Sequence, residues 1–181
     1  MIGENLNDPD QQVLVASEKH GYIHFTSENL QVPINMTLHN LIVYELGIVF
    51  NGINFQITNC TFLNGSVKAY DHGSEDSLTF PLSDLHNYSM SHNVFLDSNA
   101  QFFMYSSNGA CNIEIADTRF ESTSEDTNFG YYQGLSITCN SQPFVAVVDR
   151  CLFKNIYPGG GIGLWALKVQ MYKEYNMEEQ S

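Results

Sequence analysis

Ile57-Thr-Asn-Cys-Thr-Phe62, Met90-Ser-His-Asn-Val-Phe95, Ile115-Ala-Asp-Thr-Arg-Phe120 and Val148-Asp-Arg-Cys-Leu-Phe153 align on their final phenylalanine. The steps between those phenylalanines are 33, 25 and 33 residues, and a weaker copy lies upstream at Met36-Thr-Leu-His-Asn-Leu-Ile-Val43. Self-similarity at such a period is the mark of a repeat architecture. The columns carry the physical content. The first position is always apolar and the sixth is always Phe. The third position runs Asn59, His92, Asp117, Arg150, polar and suited to a bend. The fourth, Cys60, Asn93, Thr118, Cys151, is small or medium and suited to the interior. An apolar strand, a polar corner and a second short strand describe one bent side of a coil that pairs with the next about 4.8 Å away.

Each phenylalanine is followed by turn chemistry: Leu63-Asn-Gly65, Leu96-Asp-Ser-Asn99, Glu121-Ser-Thr-Ser124 and Lys154-Asn155. Asn and Gly tolerate the left-handed backbone that sharp corners require. Further β-prone pieces lie between the markers, at Phe102-Phe-Met-Tyr105, Leu135-Ser-Ile-Thr138 and Phe144-Val-Ala-Val-Val148. The pattern predicts an all-β chain, a parallel β-solenoid over residues 13–167, in which Val13 to Phe25 form a first irregular coil. An antiparallel sandwich or jelly roll also has many short strands, but it does not predict a recurring column with a fixed terminal Phe. Residues 1–12 read as a polar lead-in, Tyr70 to Tyr88 and Ser122 to Gly130 as inserted polar loops. Residues 168–181 read as a charged tail or short capping helix.

Composition bounds the function. The chain has 181 residues, 43% of them hydrophobic and 15% charged, with a formal charge of −13. Such a surface repels phosphate backbones and anionic lipid, so no nucleic-acid partner is expected. No apolar run approaches membrane-spanning length, so no membrane insertion is expected in this chain. Met1 to Gln12 have neither a basic nor an apolar stretch and do not read as a signal peptide. Four Asn-x-Ser/Thr sequons nevertheless occur, at Asn35, Asn59, Asn64 and Asn87, and make these the glycosylation candidates. Together these readings lean toward an extracellular or cell-surface chain.

The cysteines, Cys60, Cys111, Cys139 and Cys151, show no zinc spacing, and no acidic loop has the spacing of a calcium site. Neither metal nor cofactor is expected. Cys111 and Cys139 lie about one coil apart and both precede Asn, which makes them the disulfide candidate; small buried packing residues are the alternative for all four.

The phrase Ile57-Thr-Asn-Cys-Thr-Phe-Leu-Asn64 resembles the common coil of the pectin-lyase-like right-handed parallel β-helix superfamily. Cys151-Leu-Phe-Lys-Asn155 followed by Gly159-Gly-Gly-Ile162 is similar to the Phe-x-x-Asn and Gly-Gly-x-Ile repeats of adhesin-like and polymorphic outer-membrane proteins. Asn155 lies two residues after Phe153 rather than three, and the Gly-Gly-x-Ile element occurs once. The resemblance implies a right-handed β-helix fold. The enzymes of the superfamily carry Asn-Thr-Asp, Asp-Asp and Gly-His-Gly elements, or an acidic calcium cluster facing a basic residue, and none of these is found here.

The candidates for chemistry are therefore weak. His92, Asp117 and Arg150 share the polar column and form either an acid/base set or an ion-pair ladder. No catalytic set is assigned. Gly159-Gly-Gly161 lacks the Lys-Ser/Thr of a phosphate loop and reads as a tight corner. The expected function is a non-catalytic scaffold or adhesion module whose partner is a glycan, a polysaccharide or a surface protein. The alternatives are a polysaccharide lyase or glycoside hydrolase relative, and a truncated β-helix fragment without independent activity.

Overall fold

The computed structural model describes residues 12–26, 34–70, 86–104, 111–123, 134–139, 144–156, 161–166 and 171–178. These form fifteen strands and, among the described residues, no helix. In chain order they are β1 (Val13–Thr26), β2 (Ile34–His39), β3 (Leu41–Asn51), β4 (Ile53–Thr58), β5 (Thr61–Leu63), β6 (Ser66–Tyr70), β7 (His86–Ser91), β8 (Val94–Leu96), β9 (Asn99–Met104), β10 (Cys111–Ala116), β11 (Arg119–Glu121), β12 (Gly134–Cys139), β13 (Phe144–Lys154), β14 (Gly161–Ala166) and β15 (Met171–Glu178).

Every pairing between them is parallel. The antiparallel sandwich is thereby excluded over the described residues. The strands fall on three tracks. The first runs β2, β4, β7, β10 and the first half of β13. The second runs through the first half of β3, β5, β8, β11 and the second half of β13. The third runs through the second half of β3, then β6, β9, β12 and β14. Strand β1 lies beside both halves of β3, and β15 beside both halves of β13. A chain that returns to pair in parallel with itself on three tracks is consistent with a parallel β-solenoid.

The register is the one the sequence columns predict. On the second track Val43, Phe62, Phe95, Phe120 and Phe153 stack as direct partners. The Phe62–Phe95, Phe95–Phe120 and Phe120–Phe153 ring centroids are 4.6, 4.9 and 5.0 Å apart, with planes within 17°. On the first track Leu38, Ile57, Met90, Ile115 and Val148 form the second interior column. The third track adds Ile48, Val67, Ala100 and Leu135, and Phe50, Ala69, Phe102 and Ile137. From Val43 through Val148 these residues are buried, in one continuous core. Burying each large side chain contributes about 1.5–3 kcal/mol.

Period-2 alternation leaves the intervening side chains outside. The corners are built from residues with positive φ. Between the first and second tracks these are Asn40, Asn59, His92, Asp117 and Arg150, at φ 46–56°; between the second and third they are Glu45, Asn64, Asp97 and Asn155. A left-handed residue turns the strand without breaking the ladder. Asn59, His92 and Asp117 donate their N–H to the carbonyls of Ser91, Ala116 and Asp149 in the following repeat. Gly65 supplies close approach: a Cβ there would lie 2.5 Å from the Leu46 carbonyl oxygen.

Two expectations change. The tail is not a capping helix where it is described, because Met171–Glu178 continues the sheet as β15. The inserted loop between Tyr70 and Tyr88 is shorter than expected: Tyr70 closes β6, and His86 to Tyr88 already belong to β7. Residues 71–85 and 124–133, where the two 33-residue steps gain their extra length, lie outside the described residues, as does the lead-in 1–11.

Candidate functional site

The polar column brings His92, Asp117 and Arg150 together on one exposed corner. Arg150 reaches back one repeat and grips Asp117 with both carboxylate oxygens, Nε to Oδ1 at 2.7 Å and Nη2 to Oδ2 at 2.8 Å. Its Nη1 donates to Asp149 beside it. His92 Nε2 stands 3.8 Å from Asp117 Oδ2 on the other side. The hydrogen bonds from Arg150 hold the Asp117 carboxyl below the ordinary carboxylate range; desolvation opposes that pull, and the charges of Arg150 and His92 reinforce it. A carboxylate pinned by a bidentate guanidinium is a poor base, because its lone pairs are already used. The arrangement is an exposed ion-pair ladder, and such pairs contribute little net stability.

The linkage has a definite sign. A carboxylate depressed in the folded state adds stability above its unfolded pKa and loses it as pH falls through the folded value. Asp117→Asn keeps a residue type that tolerates positive φ. At neutral pH the variant should melt slightly below the parent. The gap should shrink as pH drops below about 3.9 and vanish once Asp117 is protonated. A melting-temperature gap that stays constant from neutral pH to acid would contradict the ladder.

A second surface was not singled out from the sequence. On the outer face of β2, β4, β7 and β10, Asn35, Asn54, Asn87 and Asn112 line up across the strands. Asn54 Nδ2 donates to Asn35 Oδ1 at 3.2 Å, and Asn112 Nδ2 to Asn87 Oδ1 at 3.2 Å; Asn54 Oδ1 accepts the backbone N–H of Asn87 at 3.1 Å. Two residues along each strand come Thr37, Gln56, Ser89 and Glu114. Together these line an open groove of about 410 Å³. Among the described residues, Glu114 is the one carboxylate that lines it, and no Lys or Arg does. A sequence signal existed, since the asparagines stand three residues before Leu38, Ile57, Met90 and Ile115.

A third surface holds Tyr22, 55% exposed, laid against Gly47, where a Cβ would meet the ring at 2.3 Å. Lys68 Nζ lies 5.2 Å from the ring centroid, an ordinary cation–π contact. Glu45, Asn99 and Gln101 complete a groove of similar size.

Among the described residues, no cysteine lines either groove. Cys60 and Cys151 are buried, and burial pushes both thiols up, away from the reactive thiolate. The stacking expected of Cys111 and Cys139 does not occur. Cys111 pairs in register with His86 and Phe144 on the first track, Cys139 with Met104 and Ala166 on the third. The side chain of Cys139 lies outside the described residues, so the register is all that bears on a disulfide. Gly159 and Gly160 also lie outside them, while Gly161 opens β14.

No family model, curated protein or solved structure matches the chain.

Proposed function

We propose that the chain is a right-handed parallel β-helix of the pectin-lyase-like type, serving as a non-catalytic scaffold or adhesion module of an extracellular or cell-surface protein. Its ligand face is the amide groove of β2, β4, β7 and β10, and its ligand a neutral glycan. Parallel crossovers are right-handed in about 98% of cases, which supports the hand. The observation that carries the functional reading is the groove's chemistry. Glycoside hydrolysis needs two carboxylates about 5–9.5 Å apart across the scissile bond. Among the described residues the groove offers Glu114 alone, in a row of amides and hydroxyls suited to sugar hydroxyls. On the separate corner of His92, Asp117 and Arg150, the Asp117 carboxylate is already held by two hydrogen bonds from Arg150.

The test pairs a glycan-binding array with a lyase and hydrolase screen on neutral and acidic polysaccharides. Binding without turnover is expected. Gln56→Ala combined with Asn112→Ala removes about two hydrogen bonds of ~0.5–1.5 kcal/mol each, a loss of about 5- to 150-fold in affinity. Turnover abolished by Asp117→Ala would overturn the non-catalytic reading in favour of a lyase or hydrolase relative. Absence of any glycan binding would overturn the ligand.

A further inference from the structure

Eleven described asparagines have a defined exposure, and only four of them are exposed: Asn35, Asn59, Asn64 and Asn87. These are the four that sit in Asn-x-Ser/Thr sequons. Asn40, Asn51, Asn54, Asn93, Asn99, Asn112 and Asn155 are half-buried or buried, and none is in a sequon. Accidental triplets in an asparagine-rich chain would fall on both groups. A glycan is bulky and must stand on the surface of the folded chain, and the sequons sort accordingly.

Hydrogen bonding divides the four again. Asn35 and Asn87 accept the ladder hydrogen bonds at Oδ1 and line the groove, which a glycan on their Nδ2 would fill. Asn59 and Asn64 occupy corners at φ 53° and 51°. Among the described residues, no hydrogen bond engages either side-chain amide. The two corners bracket the three-residue strand β5. Beside it the outer face of the second track carries an apolar strip of Ile42, Leu63, Val94 and Leu96, all half-buried, with Tyr44 at 39% exposed and Leu14 at 54%. Solvent-exposed apolar strips of this kind promote association.

We infer that Asn59 and Asn64 are N-glycan acceptors, with Asn35 and Asn87 reserved for the ladder, and that the two glycans screen the apolar strip between them. The inference rests on the extracellular reading but is tested separately from it. The chain is secreted from animal cells behind a heterologous signal peptide. Peptide mapping after enzymatic deglycosylation then reads the occupancy at each site. Occupancy at Asn59 and Asn64 well above that at Asn35 and Asn87 is expected. Replacing the corner asparagines would strain a left-handed backbone, so the sequons are broken at their hydroxyls. Thr61→Ala and Ser66→Ala should each remove one glycan from the intact mass, and the double variant should gain self-association. Empty corners, occupancy confined to Asn35 and Asn87, or equal occupancy at all four would overturn the assignment. So would a double variant that lacks both glycans and stays as monodisperse as the parent. Where the native full-length protein resides is a different measurement. A cytosolic location would end the extracellular reading while leaving acceptor competence as the mapping found it.

Discussion

Phe95→Ala should destabilise the protein by about 3–5 kcal/mol, the cost of emptying a large aromatic from a packed interior. Native domains have only about 5–15 kcal/mol in total, so the variant should populate unfolded chain in low denaturant. Phe95 is fully buried, and it stacks on Phe62 at 4.6 Å and on Phe120 at 4.9 Å. Stacked repeats hold together mainly through nearest-neighbour interfaces, and this one side chain contributes to two of them. Phe95→Leu separates the two sources of the effect. It restores most of the buried area and loses the ring geometry, worth about 0.5–1.5 kcal/mol for each aromatic pair. The measurement is urea unfolding followed by far-ultraviolet circular dichroism, with midpoint and slope fitted together. A Phe95→Ala cost below about 1 kcal/mol would mean that the column does not pack as described.

The same column explains why so much of the fold was readable. A parallel solenoid places equivalent residues of successive repeats directly against one another, so a spatial stack is also a sequence alignment. Phe62, Phe95, Phe120 and Phe153 announce themselves because one interior slot keeps one shape. The polar column was legible as corners for a physical reason as well. Asn and Asp are the side chains that best tolerate positive φ, and they introduced the pattern into which His92 and Arg150 then fitted. His92 and Arg150 would not have been assigned φ of 56° and 46° on their own.

What stayed hidden lies outside the aligned six residues. The groove asparagines Asn54, Asn87 and Asn112 precede the marker segments by three positions and are as regular as the phenylalanines. Composition masked them, since asparagine at corners and asparagine on a sheet face look alike in a chain rich in both. The strand identity of Met171–Glu178 was hidden for another reason. Its sequence alternates weakly and carries Lys173, Glu174 and Glu178, so only its pairing with β13 reveals a strand. The cysteine register failed because inserted residues between tracks make a 28-residue separation ambiguous between one coil and a change of track.

The fourth column yields the second large expected effect, at Asn93. Cys60 and Thr118 share its position but satisfy their side chains locally: Thr118 Oγ1 donates to Ala116 O at 2.8 Å, and the Cys60 thiol faces Thr58 O at 3.3 Å; the Cys151 thiol faces Asp149 O at 3.3 Å and, more distantly, Ile115 O of the preceding repeat at 3.6 Å. Asn93 instead reaches into the preceding repeat. Its Oδ1 accepts the Cys60 N–H at 2.9 Å, and its Nδ2 donates to the Ile57 carbonyl at 2.9 Å. Ser98 makes a matching link at the next corner, where its Oγ accepts the Gly65 N–H at 2.9 Å and its one proton faces Leu96 O at 2.8 Å and Phe62 O at 3.1 Å. Short strand β8 is thus tied to β5 at both ends by buried side chains as well as by its ladder. Asn93→Leu keeps the volume and removes both bonds, leaving a buried N–H and a buried carbonyl without that partner. Each unsatisfied group costs about 1–3 kcal/mol, so a loss of about 2–6 kcal/mol is expected. Thr118→Val is the control in the same column. Ala116 O also accepts the His92 N–H at 3.2 Å, so losing the hydroxyl should cost no more than about 1.5 kcal/mol. Hydrogen exchange adds a local readout: in Asn93→Leu the Cys60 amide should exchange faster than its neighbours in β5. Equal costs for the two variants would mean that the column is interchangeable and that the Asn93 link does not hold the repeats together.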